Sequence, residues 1–116
     1  MKHAFLALSL TLFATPALAH AHLGTSVPAD GTAVKAPASV TIKFTETVEG
    51  AFTGVAITGP QGDVKIGTPA LDPNDGETLV VPIAGAMPAG RYTVTWHALA
   101  TDGHKSEGSF VFAVTK

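Results

Sequence analysis

Apolar and polar residues alternate with a period of two along most of the chain. Val40, Ile42 and Phe44 alternate with Thr41 and Lys43. Val55 and Ile57 repeat the pattern before Gly59-Pro60-Gln61-Gly62, and Val64 and Ile66 form a short piece after it. Leu79-Val80-Val81 follows the turn-rich Asp72-Pro73-Asn74-Asp75-Gly76. Tyr92, Val94 and Trp96 alternate with Thr93, Thr95 and His97. Phe110, Phe112 and Val114 alternate with Val111 and Ala113. Successive side chains of a strand point to opposite faces, so each run buries one face. Past residue 19 no helical stripe is present. Pro28, Pro37, Pro69, Pro73, Pro82 and Pro88 fall at run edges or between runs, where a missing N–H does least harm. Short runs rich in Val, Thr and Phe, separated by turn residues, predict an all-β fold, an antiparallel sandwich of about seven strands. The stretch from Thr68 to Glu77 is expected to be a long loop.

The opening segment follows a different rule. Lys2 supplies a positive start, and Ala4–Ala14 is an apolar run. It is shorter than the roughly 20 residues a membrane-crossing helix needs. Pro16 breaks it, and Ala17-Leu18-Ala19 offers small residues at the positions a signal peptidase reads. Residues 1–19 therefore read as a secretory signal peptide and 20–116 as the mature domain. No second long apolar run follows to hold the product in a membrane. The periplasm is the expected destination, and His20 the new N-terminus. A second triplet, Ala19-His20-Ala21, overlaps the first, and cutting there would expose His22 instead. The first site follows Pro16 by the more usual interval.

Composition narrows the chemistry. The chain has 116 residues, 46% of them apolar and 14% charged, enough for one domain with one real core. It has no Cys, so disulfides, a thiol nucleophile and thiolate metal sites are excluded. The formal charge of −2 becomes −3 once Lys2 is removed, and there is no basic stretch. The electrostatic attraction that dominates nucleic-acid binding is missing, so no nucleic-acid partner is expected. Ser106 and Ser109 lie near His104, but no nucleophile elbow surrounds them. No Gly-rich phosphate loop opens a helix.

Three of the four histidines of the mature domain fall in two short segments. The first is His20-Ala21-His22 at the new terminus. A free α-amine has a pKa of about 7.7–8 and can bind a metal near neutral pH. The His22 imidazole can join that amine and two intervening backbone nitrogens in a square, a geometry that Cu(II) and Ni(II) favour. Alternatively, the His20 imidazole chelates together with its own amine. The two modes compete. The second segment, Asp102-Gly103-His104, lies in the link before the last strand. A carboxylate and an imidazole at i and i+2 suit Cu(II) or Zn(II), and Gly103 permits a tight turn. Each segment alone is a weak signal, but sandwich ends bring separated loops together. His97 is read as a partly exposed sheet residue and Trp96 as a core anchor.

These residues also carry a resemblance. His20-Ala21-His22-Leu23, Ser26-Val27-Pro28-Ala29-Asp30-Gly31 and Val40-Thr41-Ile42-Lys43-Phe44-Thr45-Glu46 resemble the opening of the bacterial copper-resistance CopC family. Pro88-Ala89-Gly90-Arg91-Tyr92-Thr93-Val94-Thr95-Trp96, Asp102-Gly103-His104 and Gly108-Ser109-Phe110 match its closing half. The resemblance implies a cupredoxin-like, immunoglobulin-like Greek-key sandwich or barrel. It implies a copper carrier rather than an enzyme, with His20, His22, Asp102 and His104 as ligands to one Cu(II) per mature chain. It also implies a monomer working beside an inner-membrane copper importer. Some members hold Cu(I) at a Met-rich loop, whereas this mature domain has only Met87. Two alternatives remain open at this stage: a copper monooxygenase using a His20 brace, and a metal-free structural module.

Overall fold

The computed structural model describes residues 21–116. The expected signal peptide, 1–19, and His20 lie outside the described residues. Nine strands form: β1 (Leu23–Val27), β2 (Ala33–Val34), β3 (Ser39–Phe44), β4 (Gly54–Gly59), β5 (Gly62–Asp63), β6 (Ala70–Leu71), β7 (Thr78–Pro82), β8 (Gly90–Leu99) and β9 (Lys105–Val114). One 3-10 turn, Gly50–Phe52, precedes β4. The strands build a four-stranded sheet, β1-β3-β7-β6, and a five-stranded sheet, β2-β9-β8-β4-β5.

The alternation read from the sequence decides which side chains lie between the sheets. Val40, Ile42 and Phe44 of β3 are buried, as are Leu79 and Val81 of β7. They face Tyr92, Val94 and Trp96 of β8 and Phe110, Phe112 and Val114 of β9. The β8–β9 register sets Tyr92 opposite Phe112 and Trp96 opposite Gly108. Tyr92 and Phe112 stack with centroids 5.8 Å apart. Trp96 lies over Gly108, where a Cβ would stand 2.6 Å from the indole ring, so only glycine fits beneath it. Phe44 of the other sheet meets Trp96 edge-on at 5.4 Å, a favoured aromatic geometry that ties the two layers together at one end. His97 points outward and is exposed, as its place in the alternation requires.

The expected all-β sandwich forms, and of the two forms the resemblance allows, sandwich or barrel, it is the open one: β1 and β6 are edges of one sheet, and β2 and β5 of the other. Period-two patterning is common to both architectures. Three details need correction. There are nine strands rather than about seven, because several are two residues long. The stretch from Thr68 to Glu77 is not all loop, since β6 pairs there with β7. Finally, β2 runs parallel to β9, although every other strand pair is antiparallel.

Two turns show local chemistry holding this frame. At Ala29-Asp30-Gly31 the chain reverses with Gly31 at φ +79°, a conformation glycine adopts without strain. Asp30 Oδ1 accepts the Val111 N–H at 3.0 Å and latches the turn to β9. Before β7, Asp75 accepts the Thr78 hydroxyl at 2.7 Å and the backbone N–H groups of Glu77 and Thr78 at 3.0 Å each. The Thr78 hydroxyl, then these two N–H groups, hold the Asp75 carboxyl below the ordinary carboxylate range. A carboxylate with a lowered folded pKa stabilises the fold above its unfolded pKa, and that contribution fades as pH falls through the folded value. Asp75→Ala is therefore expected to lower the melting temperature at neutral pH, with the two proteins converging in acid. Thermal unfolding from pH 7 down to pH 2 checks this.

Candidate metal centre

The site is assembled at the end of the sandwich where Phe44 meets Trp96. The link between β8 and β9 turns through Thr101-Asp102-Gly103. Gly103 N–H donates to the Ala100 carbonyl at 2.9 Å, and Ala100 N–H to the His104 carbonyl at 2.9 Å. Gly103 takes φ +93°, so a side chain there would strain the turn. Asp102 Oδ1 then accepts the His104 backbone N–H at 3.1 Å and lies 3.0 Å from the ring Nδ1. A carboxylate this close to Nδ1 restrains the direction of the ring, the arrangement that outer-shell carboxylates give metal-binding histidines.

The start of the described chain lies against the same end. Ala21 is fully buried in the core, and its carbonyl accepts the Ser106 hydroxyl, two residues after His104. The backbone N–H of His22 donates to Thr45 Oγ1 at 3.0 Å, and Thr45 N–H returns a bond to the His22 carbonyl at 2.9 Å. Thr47 is tied to the other segment: its carbonyl accepts the Thr101 N–H at 3.1 Å, and the two hydroxyls lie 2.9 Å apart. Half-buried Glu46 stands between these two threonines. The backbone around Thr45–Thr47 therefore bridges the His22 segment and the Asp102–His104 turn. His22, Asp102 and His104 are all exposed.

Of the four expected ligands, three are described and lie in segments joined in this way. His20, the fourth, lies outside the described residues. Among the described residues no group of three His, Asp or Glu side chains forms a metal-holding cluster. The donors present are imidazole nitrogen and carboxylate oxygen, a set suited to Cu(II) or Zn(II) rather than to a soft monovalent ion. Met87, the one thioether of this region of sequence, is buried in the core. Sequence reasoning missed Thr45, Thr47 and Ser106. Polar residues near turns are common, and only the sandwich brings these three to the candidate site.

Residues 23–115 match the CopC domain family. This chain belongs to the CopC family. It is 40% identical over 112 residues to Protein YobA of Escherichia coli (strain K12), covering 94% of this chain and 90% of that one. Among solved structures it is similar to PcoC, a methionine-rich copper resistance protein from Escherichia coli. The TM-score is 0.76 and the identity 30%, covering 84% of this chain and all of that one. It is also 29% identical over 113 residues to the copper transport protein CutJ of Bacillus subtilis (strain 168), covering 96% of this chain but only 21% of CutJ.

The CopC family consists of copper-binding proteins rather than enzymes, which sets the monooxygenase alternative aside. The surface agrees. Phe52 is the one exposed aromatic ring among the described residues, so they offer no aromatic platform for a polymeric substrate.

Proposed function

We propose that this CopC protein is a periplasmic Cu(II) carrier whose mature chain begins at His20. Copper is its cargo, one ion per chain. The His20 amine and imidazole, His22, Asp102 and His104 supply the donors. The observation that carries this reading is the pairing of His104 with Asp102, whose Oδ1 accepts the His104 backbone N–H and lies 3.0 Å from its Nδ1, in the turn two residues before the Ser106 that fastens the chain start. Asp102 acts chiefly by orienting His104.

Several features support the choice of ion and the role. PcoC is named as methionine-rich, whereas here Met87 is buried, so a thioether site for Cu(I) has no donor at the surface. Cu(II) matches the nitrogen and oxygen donors and leads the divalent affinity order. In CutJ, a copper transport protein, the matching region is about one-fifth of a longer chain. On this reading the protein is a monomer that hands its ion to an inner-membrane importer.

Titration of the secreted protein with Cu(II) tests the reading. Intact mass is expected to show a chain starting at His20 and gaining one copper. The paramagnetic resonance spectrum is expected to be tetragonal and nitrogen-rich. The melting temperature is expected to rise, since a ligand held only by the native state stabilises it. An unchanged melting temperature with stoichiometric Cu(II) would instead mark a metal-free structural module.

A further inference from the structure

The peptide unit joining Ala21 to His22 is fastened at both ends. Its carbonyl accepts the Ser106 hydroxyl from β9 of the five-stranded sheet. Its N–H donates at 3.0 Å to Thr45 Oγ1, just beyond β3 of the four-stranded sheet. A trans peptide directs its C=O and N–H to opposite sides, so this one unit spans the gap between the two layers. The next unit is also held, through Thr45 N–H and the His22 carbonyl at 2.9 Å. Ala21 is fully buried as part of the core.

A chain starting His-x-His can wrap around a metal so that the amine, the next two backbone nitrogens and the third residue's imidazole form a square. Both Cu(II) and Ni(II) accept that geometry. In the wrapped form the His22 backbone nitrogen binds the ion along the line its N–H now follows. Metal–nitrogen bonds of the first-row divalent ions are about 2.0–2.1 Å. Thr45 Oγ1 already stands 3.0 Å along that line. An ion placed there would lie about 1 Å from the hydroxyl oxygen, well inside any metal–oxygen bond. Wrapping therefore requires the unit to leave Thr45, and rotating it also breaks the bond to Ser106.

We propose that Thr45 and Ser106 are specificity-determining residues. By holding the Ala21–His22 peptide across the two sheets, they deny the metal its backbone nitrogens and exclude Ni(II) in its square-planar form. Amine, imidazole and carboxylate donors remain for Cu(II). The proposal rests on the reading of His20 as the mature terminus of a Cu(II) carrier. Cu(II) heads the divalent order with mixed nitrogen and oxygen donors, so it tolerates the loss of amide ligands. Ni(II) loses the nitrogens that make it square-planar.

The mature protein, starting at His20, is titrated separately with Ni(II) and Cu(II), and followed by visible absorption and thermal unfolding. The wild type is expected to take up Cu(II) and to show no square-planar Ni(II) band. Thr45→Val combined with Ser106→Ala is expected to gain that band, with Ni(II) affinity rising at least about tenfold, the equivalent of one or two released hydrogen bonds. Thr45→Val alone, nearly isosteric, is expected to move in the same direction, and Thr45→Ser, which keeps the hydroxyl, to behave as wild type. A wild-type protein that binds Cu(II) and also gives the square-planar Ni(II) band overturns the proposal and leaves the copper reading standing. Variants that melt earlier but gain no band overturn it as well, since that is the signature of a merely structural role. A wild type that binds no Cu(II) overturns the copper reading, and this proposal with it.

Discussion

One extra residue left in front of His20 is expected to weaken Cu(II) binding by more than about 100-fold, beyond the range that outer-shell partners of a metal site contribute. The extension turns a basic α-amine into an amide nitrogen, which holds its proton near neutral pH and offers no lone pair in its place. It also moves the new amine a full residue, about 3.3–3.6 Å, further along the chain. The fold is expected to stay intact, because the buried Ala21 and its bond to Ser106 lie after the insertion point. Equilibrium competition for Cu(II) against a chelator, run on proteins beginning at Ala19 and at His20, measures the ratio. Equal affinities would remove the terminus from the site. His104→Ala provides the companion measurement. It deletes the imidazole that Asp102 aims and, at an exposed position, is expected to leave the melting temperature of the metal-free protein almost unchanged.

Phe44→Ala is expected to have the largest effect on stability. The ring is 1% exposed and meets Trp96 edge-on at 5.4 Å, joining one sheet to the other. Deleting a buried phenyl ring costs about 3–5 kcal/mol, because both transfer free energy and cavity terms are lost. For a domain of this size that lowers the melting temperature by more than about 12 °C. The same change loosens the segment running into Thr45, so Cu(II) affinity is expected to fall with stability. Phe112→Ala, on the far strand and stacked on Tyr92, is expected to cost similar stability with less effect on copper. Thermal unfolding and copper titration on both variants separate the two contributions.

The core strands were legible because their alternation is strong. Val40, Ile42 and Phe44, and likewise Tyr92, Val94 and Trp96, are buried where a period of two puts them. Strand β1 was not legible, since Leu23–Val27 has no fully buried residue and carries Gly and Thr in its middle. As an edge strand it is held by backbone pairing with β3, which leaves little trace in side-chain pattern. The two-residue strands β2, β5 and β6 are below the length at which any period can be read. Asp102 and His104 could be singled out as candidates because a carboxylate and an imidazole flanking glycine are a recognisable ligand pair. Thr45 and Ser106 could not, because threonine and serine at strand ends are ordinary. Their significance comes from contacts across more than twenty positions in sequence, made only when the layers stack.

The clasp formed by Ala21 and His22 belongs to the scaffold, and in the proposed site it would also border the cargo. Amide exchange near Thr45 and Ser106 is then expected to slow in concert when copper is loaded. The converse would hold in the proposed delivery: an acceptor that peeled the leading segment away to reach the ion would unlatch the two halves of the shell in the same stroke, making unloading and breathing of the domain a single mechanical event.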